Sequence, residues 1–137
     1  MAWLNATPKP DPRSKRADPK FARPDLTRAE QMKKDGIPIR MPPNPAPDLV
    51  NRLIEIGLTE AAGMGLAPLS WVSIDAWQRV TSVALPPWEA KLHRYLSTEY
   101  LAEFRRAESE NCPPPWRAEV TQREREVEQA LLESVLG

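Results

Sequence analysis

Proline is concentrated at the beginning of this chain, and that distribution restricts what the chain can fold into. Ten of the sixteen prolines lie in residues 1–47, where the aromatic residues are Trp3 and Phe21. Proline fixes φ and removes a backbone donor, so such a segment disfavours long helices and central strands. It also offers too little apolar surface to offset its ordering entropy. We therefore predict a mostly disordered arm over residues 1–46 and a folded domain over residues 47–137.

The charges of these two parts differ, although the whole chain has a formal net charge of zero. Residues 1–46 hold ten Lys/Arg and five Asp/Glu out of nineteen of each, which leaves nine and fourteen for residues 47–137. A basic arm can contact nucleic acid or an acidic protein face. It can also simply keep an unfolded segment in solution, which the interspersed acidic residues favour. Residues 9–40 are the candidate segment for nucleic-acid contact.

Helical periodicity and helix-boundary residues recur along the chain. In the arm, Thr27 and Glu30 form a capping-box pattern that predicts a short helix over 27–35. In the domain, the patterns predict helices over about 47–57, 71–82, 87–107 and 116–136. Residues 58–68 read as a loop, and no segment reads as a strand. The predicted fold class is all-α: a small helical domain of three to four helices with a proline-rich, mostly disordered N-terminal arm.

Residues with catalytic or metal-binding chemistry are few. His93 is the only histidine and Cys112 the only cysteine, so we predict a surface or boundary histidine, a lone exposed thiol, and no zinc site. Gly63 and Gly65 lack the spacing and context of a phosphate-binding loop. We predict a protein that is not an enzyme and that uses no cofactor or metal. We also predict no secretory signal and no membrane span.

Aromatic residues are the strongest signal in the domain, because three tryptophans lie within eighteen residues. Core packing is the default interpretation, since each buried ring removes about 150–250 Å² from water. The alternative is a surface on which part of this cluster binds another protein. The narrow apolar stripe of 116–136 could pair two copies or fold back over the third helix. The candidate partner-binding residues are Trp71, Trp77, Trp88, Tyr95, Tyr100, Phe104 and Trp116.

Residues 70–103, SWVSIDAWQRVTSVALPPWEAKLHRYLSTEYLAE, resemble the tail assembly chaperones of long-tailed bacteriophages and prophages. With the two preceding residues, the match covers about a quarter of the chain, and its most distinctive part is Leu-x-Pro-Trp-Glu followed by a helix with Tyr-Leu. Ser82 stands where the pattern of that group has glycine. The matching positions are Pro68, Leu69, Ser70, Trp71, Ile74, Ala76, Trp77, Val80, Thr81, Leu85, Pro87, Trp88, Glu89, Leu92, Leu96, Tyr100 and Leu101.

The resemblance implies a role in assembly. Such chaperones are thought to coat the helix-rich tape measure protein, bring tail tube subunits to it, and leave before the tail is complete. It therefore implies a protein in the cytoplasm of the bacterial host that is absent from the mature virion. Two alternatives stay open: a nucleic-acid-associated phage regulator or packaging accessory that uses the basic arm, and a structural tail component that is retained in the virion.

Overall fold

The structure, a computed structural model, describes residues 1–14, 17–19 and 25–137, so Phe21 and part of the predicted basic segment lie outside the described residues. The described part of the chain is mainly helical, with one small antiparallel sheet. It divides into two compact units, residues 1–2 with 44–106, and residues 3–43 with 107–137. The elements are α1 (Ala2–Asn5), α2 (Arg28–Lys34), α3 (Pro47–Ile56), β1 (Glu60–Ala62), β2 (Gly65–Ala67), α4 (Trp71–Thr81), α5 (Pro87–Arg106) and α6 (Gln122–Leu136).

The first unit contains α3, the two strands, α4 and α5. Leu53, Leu69 and Ile74 form its buried centre, and each is at most 5% exposed. Aliphatic side chains therefore form the core of this unit. The half-buried apolar residues packed against the centre are Ile56, Leu58, Leu85, Ala90 and Leu96.

The helix boundaries of this unit follow from residues that the sequence identifies. Proline occupies the first turn of α3, and Gly57 ends that helix with φ of 122°. The Ser70 hydroxyl caps α4 by accepting a hydrogen bond from the Ser73 N–H. α4 ends at Ser82, which adopts the left-handed conformation with φ of 57°. The predicted bounds 47–57, 71–82 and 87–107 each end one residue beyond the helix.

The segment predicted as a loop, 58–68, contains a β-hairpin. β1 and β2 pair antiparallel, with Glu60 opposite Ala67 and Ala62 opposite Gly65. Gly63, at the turn, has φ of 58°, a conformation that glycine adopts without steric cost. The prediction that this chain has no strands was therefore wrong. The sequence gives little sign of them, because each strand has three residues and alanine and glycine are rare in strands.

Polar side chains connect the hairpin region to the helices. The Glu60 carboxylate accepts hydrogen bonds from the Ser70 N–H and hydroxyl and from the Ser73 hydroxyl. Ser97, which is fully buried in α5, donates to the Leu58 carbonyl and accepts from the Leu69 N–H. Buried backbone groups are thereby paired at the point where the loops enter the core.

The second unit joins the two ends of the chain. The buried Arg28 guanidinium donates to the carbonyls of Trp3, Ala107 and Ser109, and it lies 4.6 Å from the centre of the Trp3 ring. The Trp3 indole N–H donates to the Cys112 carbonyl over 2.8 Å. These contacts satisfy carbonyls that would otherwise need water, and they fix the path of the residues between 107 and 112.

The described residues of the arm do not show the disorder predicted for residues 1–46. They include α1 and α2, and α2 has the predicted capping box of Thr27 and Glu30. Residues 107–137, predicted as part of the helical domain, group with the arm. α6 begins at Gln122 rather than near residue 116, because Thr121 and Glu124 form a second capping box that starts the helix there.

Candidate partner-binding surface

One face of α5 is directed into the first unit. Glu89, His93, Ser97 and Leu101 are spaced four residues apart, and each is at most 4% exposed. Side chains at this spacing lie on one side of a helix. Three of the four are polar, so the buried face of α5 differs from the purely apolar stripe that amphipathic patterns identify.

The predicted surface or boundary position of His93 was wrong, because its side chain is 0% exposed. Its Nε2 lies 3.3 Å from a Glu89 carboxylate oxygen, which is also paired with the Arg52 guanidinium of α3. His93 Nδ1 has no hydrogen-bond partner among the described residues. Glu89 is therefore not free on the helix surface, and its charge is compensated inside the unit.

The opposite face of α5 exposes two aromatic rings. Trp88 is 59% exposed and Tyr95 is 60% exposed. They are seven residues apart, which is about two helical turns, so they lie on the same side of the helix. Lys91 lies between them, three residues after Trp88 and four before Tyr95. This outward strip, Trp88–Lys91–Tyr95, is called the α5 face below.

Trp71 lies in the first turn of α4 and contacts α5 through Arg94. It is 48% exposed, and the Arg94 guanidinium lies 5.3 Å from the centre of its ring. A guanidinium at this distance over an indole is a cation–π contact. The contact holds Arg94 over the Trp71 ring and leaves much of the indole accessible.

The other predicted aromatics lie elsewhere. Trp77 is half-buried, and its indole N–H is buried without an acceptor among the described residues. Tyr100 and Phe104 are half-buried and stack on each other, with ring centres 6.2 Å apart. Trp116 is 41% exposed but belongs to the second unit. The structure thus brings Trp88, Tyr95 and Trp71 to the surface of the first unit and withdraws three of the seven residues partly into it.

Lys91 and Arg94 were not predicted as site residues, because the sequence places them between Glu89 and Glu99 and suggests alternating, compensated charge. The burial of Glu89 removes one of those carboxylates from the surface. Neither cation has a carboxylate within ion-pair distance among the described residues. Glu89 lies on the same side of α5 as Leu101, because the two are separated by three steps of four residues. This spacing was the signal in the sequence that Glu89 could be buried.

A second exposed apolar region lies on α6. None of the described residues of this helix is buried, and Leu131, Leu132, Val135 and Leu136 are 43–84% exposed. An isolated helix of about fifteen residues is marginal in water, so α6 gains stability from any surface that covers these side chains.

No group of three or more His, Cys, Asp or Glu side chains in the described part of the chain is placed to hold a metal ion. Cys112 is half-buried rather than exposed as predicted, because its segment is held by Trp3. Within the described residues, no helix combines the length and apolar character needed to cross a membrane.

Comparison of the chain with protein-family models, with curated proteins and with solved structures gave no match.

Proposed function

We propose that this protein is a non-enzymatic chaperone of phage tail assembly, which binds the tape measure protein and brings tail tube subunits to it. The observation that carries the proposal is the exposure of Trp88 and Tyr95 on one side of α5. The protein acts in the cytoplasm of the bacterial host and leaves before the virion is complete.

The α5 face is not required to close the core of the first unit. That core is aliphatic, and its three central residues are sealed while Trp88 and Tyr95 keep more than half of their surface accessible. Tryptophan and tyrosine are enriched at the centres of protein interfaces, where they contribute much of the binding energy. Two such rings on one helical strip suit the apolar stripe of a partner helix.

The backbone at Ser82 adds support to the resemblance. The pattern of the tail assembly chaperones has glycine at this position, between the Ala-Trp helix and the Leu-x-Pro-Trp-Glu turn. Ser82 adopts a left-handed conformation, the one that glycine adopts most easily. The backbone at this position therefore has the conformation that favours glycine, although the residue here is serine.

The contacts of the basic arm favour the chaperone over a nucleic-acid-binding role. Lys9 pairs with Glu108, Arg28 donates to buried carbonyls, and Arg40 donates to the Glu119 carbonyl. Three of the described cations in residues 9–40 are thus engaged within their own unit. Nucleic-acid binding by this arm would instead give a steeply salt-dependent affinity that deletion of the arm removes.

Co-expression with the tape measure protein of the same phage or prophage tests the proposal. We expect the two proteins to co-purify, and we expect this protein to increase the soluble fraction of the tape measure protein. Failure of both effects contradicts the proposal. Mass spectrometry of purified particles separates the chaperone from a retained tail component, because only the latter is found in the virion.

A further inference from the structure

The α5 face and its edge carry two cations that form no ion pair among the described residues. Lys91 lies within the strip, and Arg94 lies at its edge over Trp71. Glu89, the acidic residue nearest to both in sequence, is 4% exposed and paired with Arg52 and His93. Glu99, one turn beyond Tyr95, is the exposed acidic residue that lies closest along this side of the helix.

We propose that the α5 face binds an amphipathic helix whose apolar stripe is flanked by carboxylates. The apolar stripe packs on Trp88 and Tyr95. The carboxylates pair with Lys91 and Arg94. This inference rests on the proposed function only for the identity of the partner, the tape measure protein; the chemistry of the partner helix follows from the surface.

Charge complementarity selects this partner. A helix with basic flanks would bring like charges against Lys91 and Arg94, which opposes binding. An uncharged apolar helix would leave both cations without a partner when the contact excludes water. An acidic flank satisfies both cations and allows the rings to be covered.

Nucleic acid is the other anionic partner that aromatic and basic residues can bind, and it fits less well. Nucleic-acid surfaces are positive over a whole face or domain. Residues 44–106 contain six Lys/Arg and seven Asp/Glu, so the first unit has no excess of positive charge. Two cations beside two large rings suit the limited acidic edge of a helix better than a continuous phosphate backbone.

The test uses the full chain and fluorescently labelled peptides of about twenty residues, long enough to form a helix. Two peptides share one leucine stripe; glutamates flank it in one peptide and lysines in the other. A single-stranded oligonucleotide is the third probe. Fluorescence anisotropy gives the dissociation constants at low and moderate salt. We expect the glutamate-flanked peptide to bind at least about tenfold more tightly than either other probe.

The double variant K91E/R94E tests the assignment to the α5 face. We expect it to lose about tenfold or more in affinity for the glutamate-flanked peptide and to gain affinity for the lysine-flanked peptide. The matched control is R117E/R125E, which changes the net charge equally at two exposed positions of the second unit. Circular dichroism verifies that both variants are folded.

Three outcomes of the peptide experiments overturn the inference: equal or tighter binding of the lysine-flanked peptide, tightest binding of the oligonucleotide, and an equal loss in both double variants. These outcomes are distinct from failure of the proposed function. If the glutamate-flanked peptide binds as expected but the tape measure protein does not co-purify, the proposed function falls and the inference stands. If the tape measure protein co-purifies equally with wild type and K91E/R94E, the inference falls alone.

Discussion

Ser82 has a backbone conformation that its side chain disfavours. An L residue in the left-handed region has its Cβ close to the following carbonyl, which costs roughly 1–2 kcal/mol. The residue ends α4 and begins the turn toward α5, so the strain lies at the joint between the two helices that carry the candidate surface.

We predict that Ser82→Gly stabilises the protein by about 1 kcal/mol, because glycine removes the steric cost at φ of 57°. The free energy of unfolding from urea denaturation measures this effect. Ser82→Ala is the control: it removes the hydroxyl, retains the Cβ, and is expected to give no gain. Equal stability of wild type and Ser82→Gly would contradict the predicted gain from relieving strain at Ser82.

The Arg52–Glu89–His93 cluster gives a second prediction at this scale. Arg52→Ala leaves the buried Glu89 carboxylate without its guanidinium, and we expect a loss of about 2–3 kcal/mol. The control is Arg79→Ala, which removes an exposed pair with Asp75 and costs at most about 1 kcal/mol. Thermal or urea unfolding of both variants measures the difference. Losses of the same size would contradict the buried pair.

At the scale of elements, three glutamate carboxylates hold the starts of helices. The Ser73 hydroxyl and the Ser70 N–H donate to the Glu60 carboxylate, and these bonds hold its pKa below the ordinary value. Glu30 and Glu124 occupy the same role in their capping boxes, where Thr27 and Thr121 lower the pKa of each carboxyl. In its ionised form, each of these three carboxylates accepts hydrogen bonds that hold the start of a helix.

We therefore predict a loss of stability in acid. A carboxyl with a lowered folded pKa stabilises the protein above its unfolded pKa, about 4.3 for glutamate, and loses this effect as the pH falls through the folded pKa. An NMR titration of Glu60 should give a midpoint below that ordinary value. Ser73→Ala should raise the midpoint, since it removes the largest cause of the shift. An unchanged midpoint would contradict the hydrogen bonds to Glu60.

α6 supports a proposal of self-association between two copies. Glu124 and Glu128 precede Leu131 by seven and three residues, so they lie on its face. In a parallel pair of helices, each glutamate would lie opposite the same glutamate of the second copy. An antiparallel pair centred near Leu131 avoids this repulsion and brings Val127 opposite Val135. Leucine and valine side chains that are now exposed would be covered.

We predict a concentration-dependent dimer that Leu131→Glu abolishes, measured by sedimentation velocity over a range of protein concentrations. A charge at this position would be buried in the contact, close to the same charge on the second copy. Val72→Glu is the matched control, an exposed apolar position of α4 that should leave the dimer intact. A wild-type protein that stays monomeric at every concentration would contradict the pairing.

The elements that were predictable are those set by local signals. Capping and stop residues such as Thr27, Ser70 and Gly57 fix helix ends within a few residues, and the sequence identifies them directly. The hairpin was not predictable, because its short strands are held partly by Arg105, whose guanidinium donates to the Leu66 carbonyl from a distant part of the chain. Contacts of this kind have no local pattern.

At the scale of the whole molecule, the described residues of the arm make a few specific contacts that composition does not indicate. The arm has little apolar surface, as its sequence indicates, yet Arg28 is buried by donating to carbonyls of residues 107 and 109. The spacing of apolar residues does not predict a buried arginine whose N–H groups are hydrogen-bonded. For the same reason, the sequence identified Trp88 and Tyr95 as candidates but did not show that Glu89 turns inward, away from Lys91.

Binding of a partner helix to the α5 face is tested most directly by the affinity of the purified protein for the tape measure protein. The variant is Trp88→Ala combined with Tyr95→Ala. Both rings are more than half exposed, so we expect the fold to be retained, and we expect the dissociation constant to rise about 100-fold. Met64→Ala, a fully exposed apolar residue at the hairpin turn, is the control and should leave affinity unchanged. An unchanged dissociation constant for the folded double variant would contradict the claim.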